Sequence, residues 1–413
     1  MIIKRDYYLQ QLISSKSNNL IKIVTGIRRS GKSFLLFNLF HNHLIETGIS
    51  EDHIIEIALD DRLNKNLRDP DVILQHIHER IVDDRLYYII LDEVQMIDEF
   101  TDVLNSLLHI RNADVYVTGS NSKFLSKDVV TEFRGRGDEI HLFPLSFAEL
   151  YNSIGGDKFE LWKSYYTYGG LPGILELDSE KKKAAYLRSL HETVYLKDII
   201  ERNNLKNSEE FMELMRVMAS CIGSPCNPSK LENTFKSVKN ETLDRKTISK
   251  YLSYMEDAFL IEKSTRYDIK GRKYIGTLSK YYFQDIGLRN ALLNFRQVEE
   301  NHIMENVIYN ELCLRGFCVD VGMVEARTAK ERKQLEVDFV ANMADRRYYI
   351  QSAFAMPDDD KREQECASLK RIDDSFKKII IMRDDIKPYH DNNGFYIVGL
   401  MDFLLKPDLI EQL

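Results

Sequence analysis

The sequence predicts an α/β fold in which a parallel sheet carries a glycine-bounded loop, and two observations lead to this prediction. The apolar residues Ile21, Ile23 and Val24 precede GIRRSGKS, Gly26–Ser33, and an apolar helical pattern follows this loop. Further on, Leu86–Leu91 is a continuous apolar run, as expected of a central parallel strand, and it ends in two carboxylates. Strand, glycine-bounded loop and helix in this order are typical of nucleotide-binding sheets.

The loop matches G-x-x-x-x-G-K-[ST] over its full length. Glycines let the backbone wrap a phosphate with its N–H groups pointing inward, and the following helix adds the positive end of its dipole. Lys32 can reach the β- and γ-phosphates, and the Ser33 hydroxyl can bind Mg²⁺. A chance glycine loop is the alternative, and the flanking strand and helix argue against it. The residues expected to contact the nucleotide here are Gly26, Ile27, Arg28, Arg29, Ser30, Gly31, Lys32, Ser33 and Phe34.

The rest of the nucleotide-binding region follows in order. The patterns predict helices over 6–14, 31–45 and 70–82, and strands over 53–59 and 86–91. Asp92 and Glu93 come at the carboxyl end of the last of these strands. Asp92 would hold Mg²⁺ through water, and Glu93 would act as general base on the attacking water. The alternative is an ordinary polar turn after a strand.

Two further segments carry candidate site residues. A strand near Val115 ends in small polar residues, and Ser120 or Asn121 could contact the γ-phosphate or the water, although such residues also form ordinary turns. Arg134 and Arg136 flank a glycine before a strand predicted over 139–143. Either arginine could be a solvated charge or an arginine finger that reaches the nucleotide of a neighbouring subunit.

Composition limits the other possibilities. The 413 residues have a net charge of −8, so the whole chain has no general affinity for nucleic acid. No apolar run approaches a membrane span, and the charged N-terminus lacks a signal-peptide core, which predicts a cytoplasmic protein without a membrane partner. The five cysteines lack C-x₂-C spacing, so buried thiols are expected rather than a zinc site.

Taken together, GIRRSGKS, YYIILDEVQ, VTGSNSKFLS, FRGRGDEIHLFPLSFAEL and YGGLPGIL resemble the prokaryotic AAA-type ATPases labelled AAA_14 with DUF4143. The resemblance runs nearly end to end. It implies a P-loop ATPase core with an inserted strand between the Walker A and Walker B strands. It assigns ATP and Mg²⁺ to Gly26–Ser33 and Asp92, the base to Glu93, sensor 1 to Ser120 and Asn121, and the finger to Arg134 or Arg136. No guanine-specific N-K-x-D occurs, so ATP is preferred to GTP.

Four regions are expected: an ATPase core over 1–145, a helical lid over 146–205, a winged-helix-like region over 206–280, and a nuclease-like α/β domain over 281–413. Helices followed by a basic hairpin suggest the third region. Its segment Lys236–Lys280 has 11 Lys and Arg against 6 Asp and Glu. Contact with DNA phosphates is one interpretation, and a solvated basic face is the other.

The last region resembles the PD-(D/E)xK nuclease fold, whose chemistry needs an Asp and then an acid-x-Lys on the next strand. Asp338 suits the first position and Glu305 could be a helix acid. Gln351-Ser352-Ala353 stands where the acid and the lysine are needed, and neither Gln nor Ala supplies them. We therefore expect a nuclease-like fold that does not cut.

The predicted function is an ATPase, associated with DNA. Two alternatives remain open: an ATP-regulated, Mg²⁺-dependent DNA nuclease, and a nucleotide switch or assembly protein that does not hydrolyse ATP.

Overall fold

The computed structural model describes residues 3–119, 135–239, 243–327 and 332–410. The chain divides into two compact units. The first consists of Met1–Leu145 with the short segments Leu171–Gly173 and Asp257–Phe259. The second consists of Ser146–Gly170, Ile174–Glu256 and Leu260–Leu413.

The first unit is built on a five-stranded sheet with the order β2-β3-β4-β1-β5. Every neighbouring pair is parallel. The strand between the loop strand and the acidic strand is β4, which confirms the predicted inserted strand. The strands are β1 (Ile21–Thr25), β2 (Ile54–Ala58), β3 (Tyr87–Asp92), β4 (Ala113–Thr118) and β5 (Gly137–His141).

The alternation of side chains along these strands gives the sheet two apolar faces. On β3, Ile89 and Leu91 pack into one core cluster, whereas Tyr88 and Ile90 pack into the other. Because helices cover both faces, β3 is buried along its whole length and its sequence is apolar throughout. The continuous run of apolar residues therefore has a direct physical cause.

One α-helix of the first unit begins at a side-chain cap. Asp69 accepts hydrogen bonds from the backbone N–H groups of Asp71 and Val72, and Pro70 occupies the first helical turn. The helix after the phosphate loop contains a π-helical stretch, Leu35–Phe40. The α-helices are α1 (Asp6–Ser14), α2 (Lys32–Phe34), α3 (His41–Glu46), α4 (Pro70–Arg80) and α5 (Phe100–Leu107).

The second unit begins with helices. Ser146 and Glu149 form a reciprocal capping box at the start of the first one. Short 3₁₀ and π segments occur between several of them, including the 3₁₀ segment Pro172–Glu176, whose first two residues belong to the first unit, and the π segment His191–Leu196. The α-helices are α6 (Phe147–Ile154), α7 (Lys158–Tyr168), α8 (Glu180–Leu190), α9 (Lys197–Asn203), α10 (Ser208–Ser220), α11 (Pro228–Thr234), α12 (Arg245–Asp257), α13 (Ile286–Leu292), α14 (Glu300–Leu314), α15 (Asp359–Cys366) and α16 (Leu400–Leu405).

An eight-stranded mixed sheet organises the rest of this unit, with the order β12-β13-β11-β10-β9-β8-β6-β7. The helix α14 packs on one face in a core cluster with residues of β9, β10 and β11. The strands are β6 (Ile261–Asp268), β7 (Lys273–Phe283), β8 (Cys318–Arg327), β9 (Arg332–Met343), β10 (Arg346–Ala353), β11 (Lys377–Met382), β12 (Tyr389–His390) and β13 (Tyr396–Gly399).

The basic hairpin of the sequence differs from its predicted setting. It is formed by β6 and β7, and β6 pairs in parallel with β8, so the hairpin extends the C-terminal sheet. The expected boundary at residue 280 falls inside β7. The finer division into lid and winged-helix-like region stays a prediction.

Along the residues that the structure describes, we find no helix with the length and apolar character that crossing a membrane requires.

Candidate functional site

The loop Gly26–Ser33 leaves the carboxyl end of β1, which is the edge of a parallel α/β sheet where ligands bind. Gly26 has φ 132° and Gly31 has φ 99°, values that side chains with a Cβ rarely adopt. A Cβ at Gly26 would lie 2.2 Å from the carbonyl oxygen of Leu142. The first glycine is therefore required by close packing as well as by its backbone angles.

Lys32 is buried, with 5% of its surface exposed, and its Nζ donates to two carbonyl oxygens of its own loop. These are Gly26 O at 2.9 Å and Ile27 O at 3.1 Å. Burial lowers the pKa of Lys32 to about 8, and the nearby carboxylates of Glu93 and Asp92 only partly oppose this shift. Within the described part of the chain, the ammonium is thus held at the loop by neutral groups, without a carboxylate as direct partner.

Ser33 and Asp92 meet at the same edge of the sheet. The Ser33 hydroxyl donates to Asp92 Oδ2 over 2.7 Å, although the two residues are 59 positions apart. Burial raises the pKa of Asp92, and hydrogen bonds from Thr118 and Ser33 counteract it. A hydroxyl and a carboxylate are ligands that Mg²⁺ prefers, so this pair suits the ion.

Glu93 follows Asp92 in the left-handed region, with φ 53° and ψ 47°. This conformation is uncommon for a residue with a side chain, and such outliers concentrate at functional sites. The Glu93 backbone N–H donates to Thr118 Oγ1 at 2.9 Å, and Gln95 Nε2 donates to its carboxylate. The chain therefore leaves the strand direction at Glu93, and the carboxylate is held by a hydrogen bond from Gln95 in the 3₁₀ turn that follows.

Thr118, at the end of β4, is a site residue that the sequence analysis missed. Its hydroxyl donates to Asp92 Oδ1 and accepts from the Glu93 N–H, and the side chain is completely buried. The position of β4 between β1 and β3 makes this contact possible. Thr118 is the first polar residue after the apolar run Val115–Val117, and that was the available signal.

The other predicted nucleotide contacts are distributed along the loop. Arg29 has φ 65° and is exposed, as are Ser33 and Phe34, whereas Ser30 is buried. Ile27 lies in the core, and Arg28 is half-buried. Ser120, Asn121 and Arg134 lie outside the described residues.

Arg136 is exposed and lies immediately before β5. Its carbonyl accepts from the Ile21 N–H over 2.9 Å, and Gly137 is in register with Ile21. Arg136 is therefore at the amino edge of the sheet, whereas the phosphate loop is at the carboxyl edge. Five strand residues separate the edges, or roughly 16 Å. From this position the arginine does not serve the loop of its own subunit.

A second group of charged residues lies in the C-terminal sheet. Lys280 of β7, which is 2% exposed, is surrounded by three carboxylates. Its Nζ lies 2.8 Å from Glu305 Oε1, 2.8 Å from Glu336 Oε1 and 3.5 Å from Asp338 Oδ1. Tyr282 also donates to Glu305, over 2.7 Å. We call Lys280, Glu305, Glu336 and Asp338 the carboxylate cluster.

The charges in this cluster depend on one another. Burial would lower the pKa of Lys280, but the carboxylates of Glu305, Asp338 and Glu336 outweigh burial and raise it. Burial also raises the pKa of Asp338, although Lys280 opposes this shift. The ammonium is thus firmly protonated and held by its neighbours.

The two predicted acids, Glu305 and Asp338, do come together, but Lys280 and Glu336 complete their group instead of residues on β10. There, the Ser352 N–H donates to Asp338 Oδ2 over 2.9 Å. Among the described residues, the buried Gln351 Oε1 atom has no hydrogen-bond partner. Within the described ranges, no group of three or more His, Cys, Asp or Glu residues is arranged to hold a metal ion.

Comparison with protein families supports the fold described for the first unit. Residues 18–151 match the family model described as AAA domain, AAA_14. Residues 159–299 match a domain of unknown function, DUF8612, in place of the DUF4143 that the motifs suggested. The first unit thus has the P-loop fold of AAA-type ATPases, with its phosphate loop, acidic strand end and inserted strand.

Two relatives extend over most of the chain. An uncharacterized protein of Haemophilus influenzae is 33% identical over 414 residues, which cover 98% of this chain and 99% of that protein. The uncharacterized protein MJ1544 of Methanocaldococcus jannaschii is 29% identical over 391 residues, covering 90% and 82% respectively. The chain therefore belongs to the same family as the Haemophilus influenzae protein.

Solved structures show only distant similarity. The Aeropyrum pernix Orc1 protein in complex with DNA has a TM-score of 0.28 at 13% identity, covering 71% of this chain and 92% of that one. Cdc6p of Pyrobaculum aerophilum has a TM-score of 0.29 at 13% identity, covering 73% and 94%. Similarity at this level says nothing about what the chain binds.

Proposed function

We propose that the chain binds ATP with Mg²⁺ and hydrolyses it at the edge of the five-stranded sheet. The observation that carries the proposal is the 2.7 Å hydrogen bond between Ser33 and Asp92, beside the buried Lys32. This hydrogen bond brings a hydroxyl from the loop and a carboxylate from β3 together at the carboxyl edge of the sheet, where one Mg²⁺ ion can be bound by both. The AAA domain match supports the same conclusion.

Each residue has a defined task in this proposal. The loop N–H groups and Lys32 bind the phosphates, and Lys32 offsets the charge that develops on the γ-phosphoryl group. Ser33 and, through water, Asp92 hold Mg²⁺, which when bound neutralises phosphate charge and orients the oxygens. Glu93 takes a proton from the water that attacks in line.

Thr118 is a positioning residue, since it holds Asp92 and the Glu93 backbone at once. Ser120 and Asn121 are proposed to act as sensor 1, in contact with the γ-phosphate or the attacking water. Arg136 is proposed to act in trans on a neighbouring subunit, because its own loop is at the opposite edge of the sheet. Arg134 is the alternative finger. Hydrolysis then depends on a homo-oligomer, and turnover per subunit should rise with protein concentration.

The test is steady-state ATP turnover together with ATP binding in Glu93→Gln. We expect turnover to fall by about 100- to 1,000-fold while ATP affinity stays within about threefold, because Gln cannot accept the proton. Glu99→Gln is the matched control, since Glu99 is an exposed glutamate with a similar φ of 50°. A wild-type protein that binds ATP without turnover would instead support a nucleotide switch.

We further propose that the chain contacts DNA through the exposed face of α12. Several cations of Lys236–Lys280 are engaged within the protein. Lys236 and Arg245 both contact Glu232, at 2.9 and 2.8 Å, and Lys280 belongs to the carboxylate cluster. Lys246 and Lys250 of α12 are exposed to solvent.

A duplex-binding assay across a salt series tests this proposal. Lys246→Glu with Lys250→Glu should weaken DNA binding by about tenfold or more and reduce the salt dependence by about two counterions. Lys182→Glu, on the exposed face of α8, is the control. Binding that does not weaken with added salt, or that the double variant leaves unchanged, contradicts a phosphate contact on α12.

Finally, we propose that the nuclease-like region does not cut nucleic acid. Lys280 occupies the space between the three carboxylates, and its ammonium already neutralises part of their charge. On β10, Gln351 stands where the acid of acid-x-Lys is needed, and Ala353 stands where the lysine is needed. Incubation of plasmid and linear DNA with Mg²⁺ or Mn²⁺ should give no cleavage products. Cleavage that is lost in Asp338→Ala would establish the nuclease alternative.

A further inference from the structure

Arg5 is a buried arginine that none of the predicted roles uses. It lies 25 residues before Ser30 of the phosphate loop, in the segment just ahead of α1, and 4% of its surface is exposed. Its guanidinium carbon lies 4.6 Å from the centre of the Tyr8 ring. Burying a guanidinium is costly unless its donors are satisfied, so its partners indicate what it holds.

Arg5 joins two backbone segments at the nucleotide edge of the sheet. One nitrogen donates to Ser30 O over 3.2 Å, and the other donates to Phe143 O over 2.8 Å. Tyr8 supports the same connection, because its hydroxyl accepts from the Phe143 N–H at 3.1 Å. A planar guanidinium is suited to hold two acceptors at once in a fixed geometry.

The segment after β5 also contacts the beginning of the loop. The Leu142 N–H donates to Thr25 O over 2.9 Å, and Leu142 O lies only 2.2 Å from the position that a Cβ of Gly26 would take. The loop is therefore fixed near its first glycine by Leu142, and near its second glycine by Arg5. Both supports come from outside the G-x-x-x-x-G-K-[ST] motif.

The peptide bond between Ser30 and Gly31 links Arg5 to phosphate binding. The C=O and N–H groups of a trans peptide point in opposite directions, so holding Ser30 O toward Arg5 turns the Gly31 N–H away from it. A charge-assisted hydrogen bond to the carbonyl also polarises the amide and makes its N–H a better donor. Loop amides of this kind are the groups that bind phosphate.

We propose that Arg5 is a positioning residue for the phosphate loop, which sets the Ser30–Gly31 peptide for nucleotide binding. The inference rests on the proposed ATP site but concerns binding, not hydrolysis. Arg5 does this from behind the loop, without contacting the nucleotide.

The experiment measures the affinity of a fluorescent ATP analogue, with Mg²⁺, at a temperature where every variant is folded. Arg5→Ala should bind about 10- to 100-fold more weakly than the wild type, with kcat at saturating ATP within about threefold. Arg5→Lys should be intermediate, about three- to tenfold weaker, because one ammonium cannot reproduce the two-pronged contact. Arg111→Ala, an exposed arginine of the same unit, should be unchanged.

Thermal unfolding without nucleotide separates positioning from simple support of the fold. Variants that unfold at a lower temperature yet bind the analogue with wild-type affinity overturn the inference. If Arg5→Ala does not fold, Arg5→Lys decides, and wild-type affinity there has the same meaning. A wild-type chain that does not bind the analogue refutes the ATP site itself, whereas binding without turnover refutes only the hydrolysis proposal.

Discussion

Lys32 of the first unit and Lys280 of the second unit are both buried and carry the same charge in opposite surroundings. Lys32 donates to two neutral carbonyl oxygens, and burial lowers its pKa to about 8. Lys280 is held by three carboxylates, which raise its pKa in spite of burial. Among the residues that the structure describes, no carboxylate accepts a hydrogen bond from the first ammonium, which can transfer to a phosphate. The second has its ionic partners inside the protein.

The difference teaches that burial of a lysine does not by itself identify a ligand-binding residue. A buried ammonium that is hydrogen-bonded only to neutral acceptors is stabilised when an anion binds, because the charge of the anion compensates the free-energy cost of removing the ammonium from water. An ammonium that is paired with several carboxylates loses these favourable interactions if it moves to a ligand. Lys32 is therefore suited to function, and Lys280 to stability and to the exclusion of other cations.

Replacing Lys280 should have the largest effect on folding. In Lys280→Met the three carboxylates lose their shared counter-charge, so we expect the free energy of unfolding to fall by about 3–5 kcal/mol. Since the folded-state pKa is raised, this stabilisation is complete at neutral pH and is lost only as the pH rises through that value. Urea denaturation measures it, with exposed Lys263→Met as the control. A loss below about 1 kcal/mol would contradict the comparison.

The mirror substitution, Lys32→Met, should reverse the pattern. ATP affinity or turnover is expected to fall by at least about 100-fold, because the charge that meets the β- and γ-phosphates is gone. The free energy of unfolding should change by less than about 1 kcal/mol, since only bonds to neutral carbonyls are lost. Lys65→Ala, which removes an exposed lysine of the same unit, is the control. Normal turnover in Lys32→Met rules out the assigned site.

The lowered pKa of Lys32 predicts how ATP binding depends on pH. Above about pH 8 the nucleotide-free protein loses the Lys32 proton, so ATP must restore it on binding. The apparent affinity should therefore be constant below about pH 8 and then fall by up to about tenfold per unit. Titration calorimetry in buffers of different ionisation enthalpy measures the proton uptake. The same affinity at pH 7 and pH 10 would contradict the lowered pKa.

Thr118→Val should give the smallest effect, because it removes one hydroxyl while keeping the shape. Asp92 then loses a donor, and the Glu93 N–H loses its acceptor. We expect kcat to fall by about tenfold, with a higher Mg²⁺ concentration required for half-maximal turnover. Exposed Thr47→Val serves as the control. Wild-type kcat and Mg²⁺ dependence would show that Asp92 and Glu93 do not need Thr118.

Sequence reasoning reached much of the first unit. The strand with Asp92 at its end was predictable because a parallel strand covered on both faces must be apolar along its length. Thr118 was missed because its role depends on the lateral order of strands, which puts β4 between β1 and β3. The π-helical stretch Leu35–Phe40 was also beyond reach, since a helical pattern does not distinguish the two hydrogen-bond registers.

The second unit was harder for the same reason. Glu305 and Asp338 were recognised as neighbours by resemblance, but Lys280 was counted as part of a basic surface. Lys280 pairs with Glu336 and Asp338 because β7 and β9 belong to the same sheet. The sequence analysis had assigned the hairpin that contains β7 to the winged-helix-like region. A count of charged residues along the sequence does not distinguish a buried lysine that is paired with carboxylates from a lysine that is exposed to solvent.

The sequence by itself determined the chemistry of the phosphate loop, because glycines, lysine and hydroxyl act through a short stretch of backbone whose spacing is fixed covalently. It also determined the apolar strands that place this loop at a sheet edge. Only the tertiary structure decided which distant groups meet there: Thr118 with Asp92, Arg5 with Ser30, and Lys280 with its three carboxylates. Such pairings follow from strand order and packing, and these carry no local periodicity from which they could be deduced.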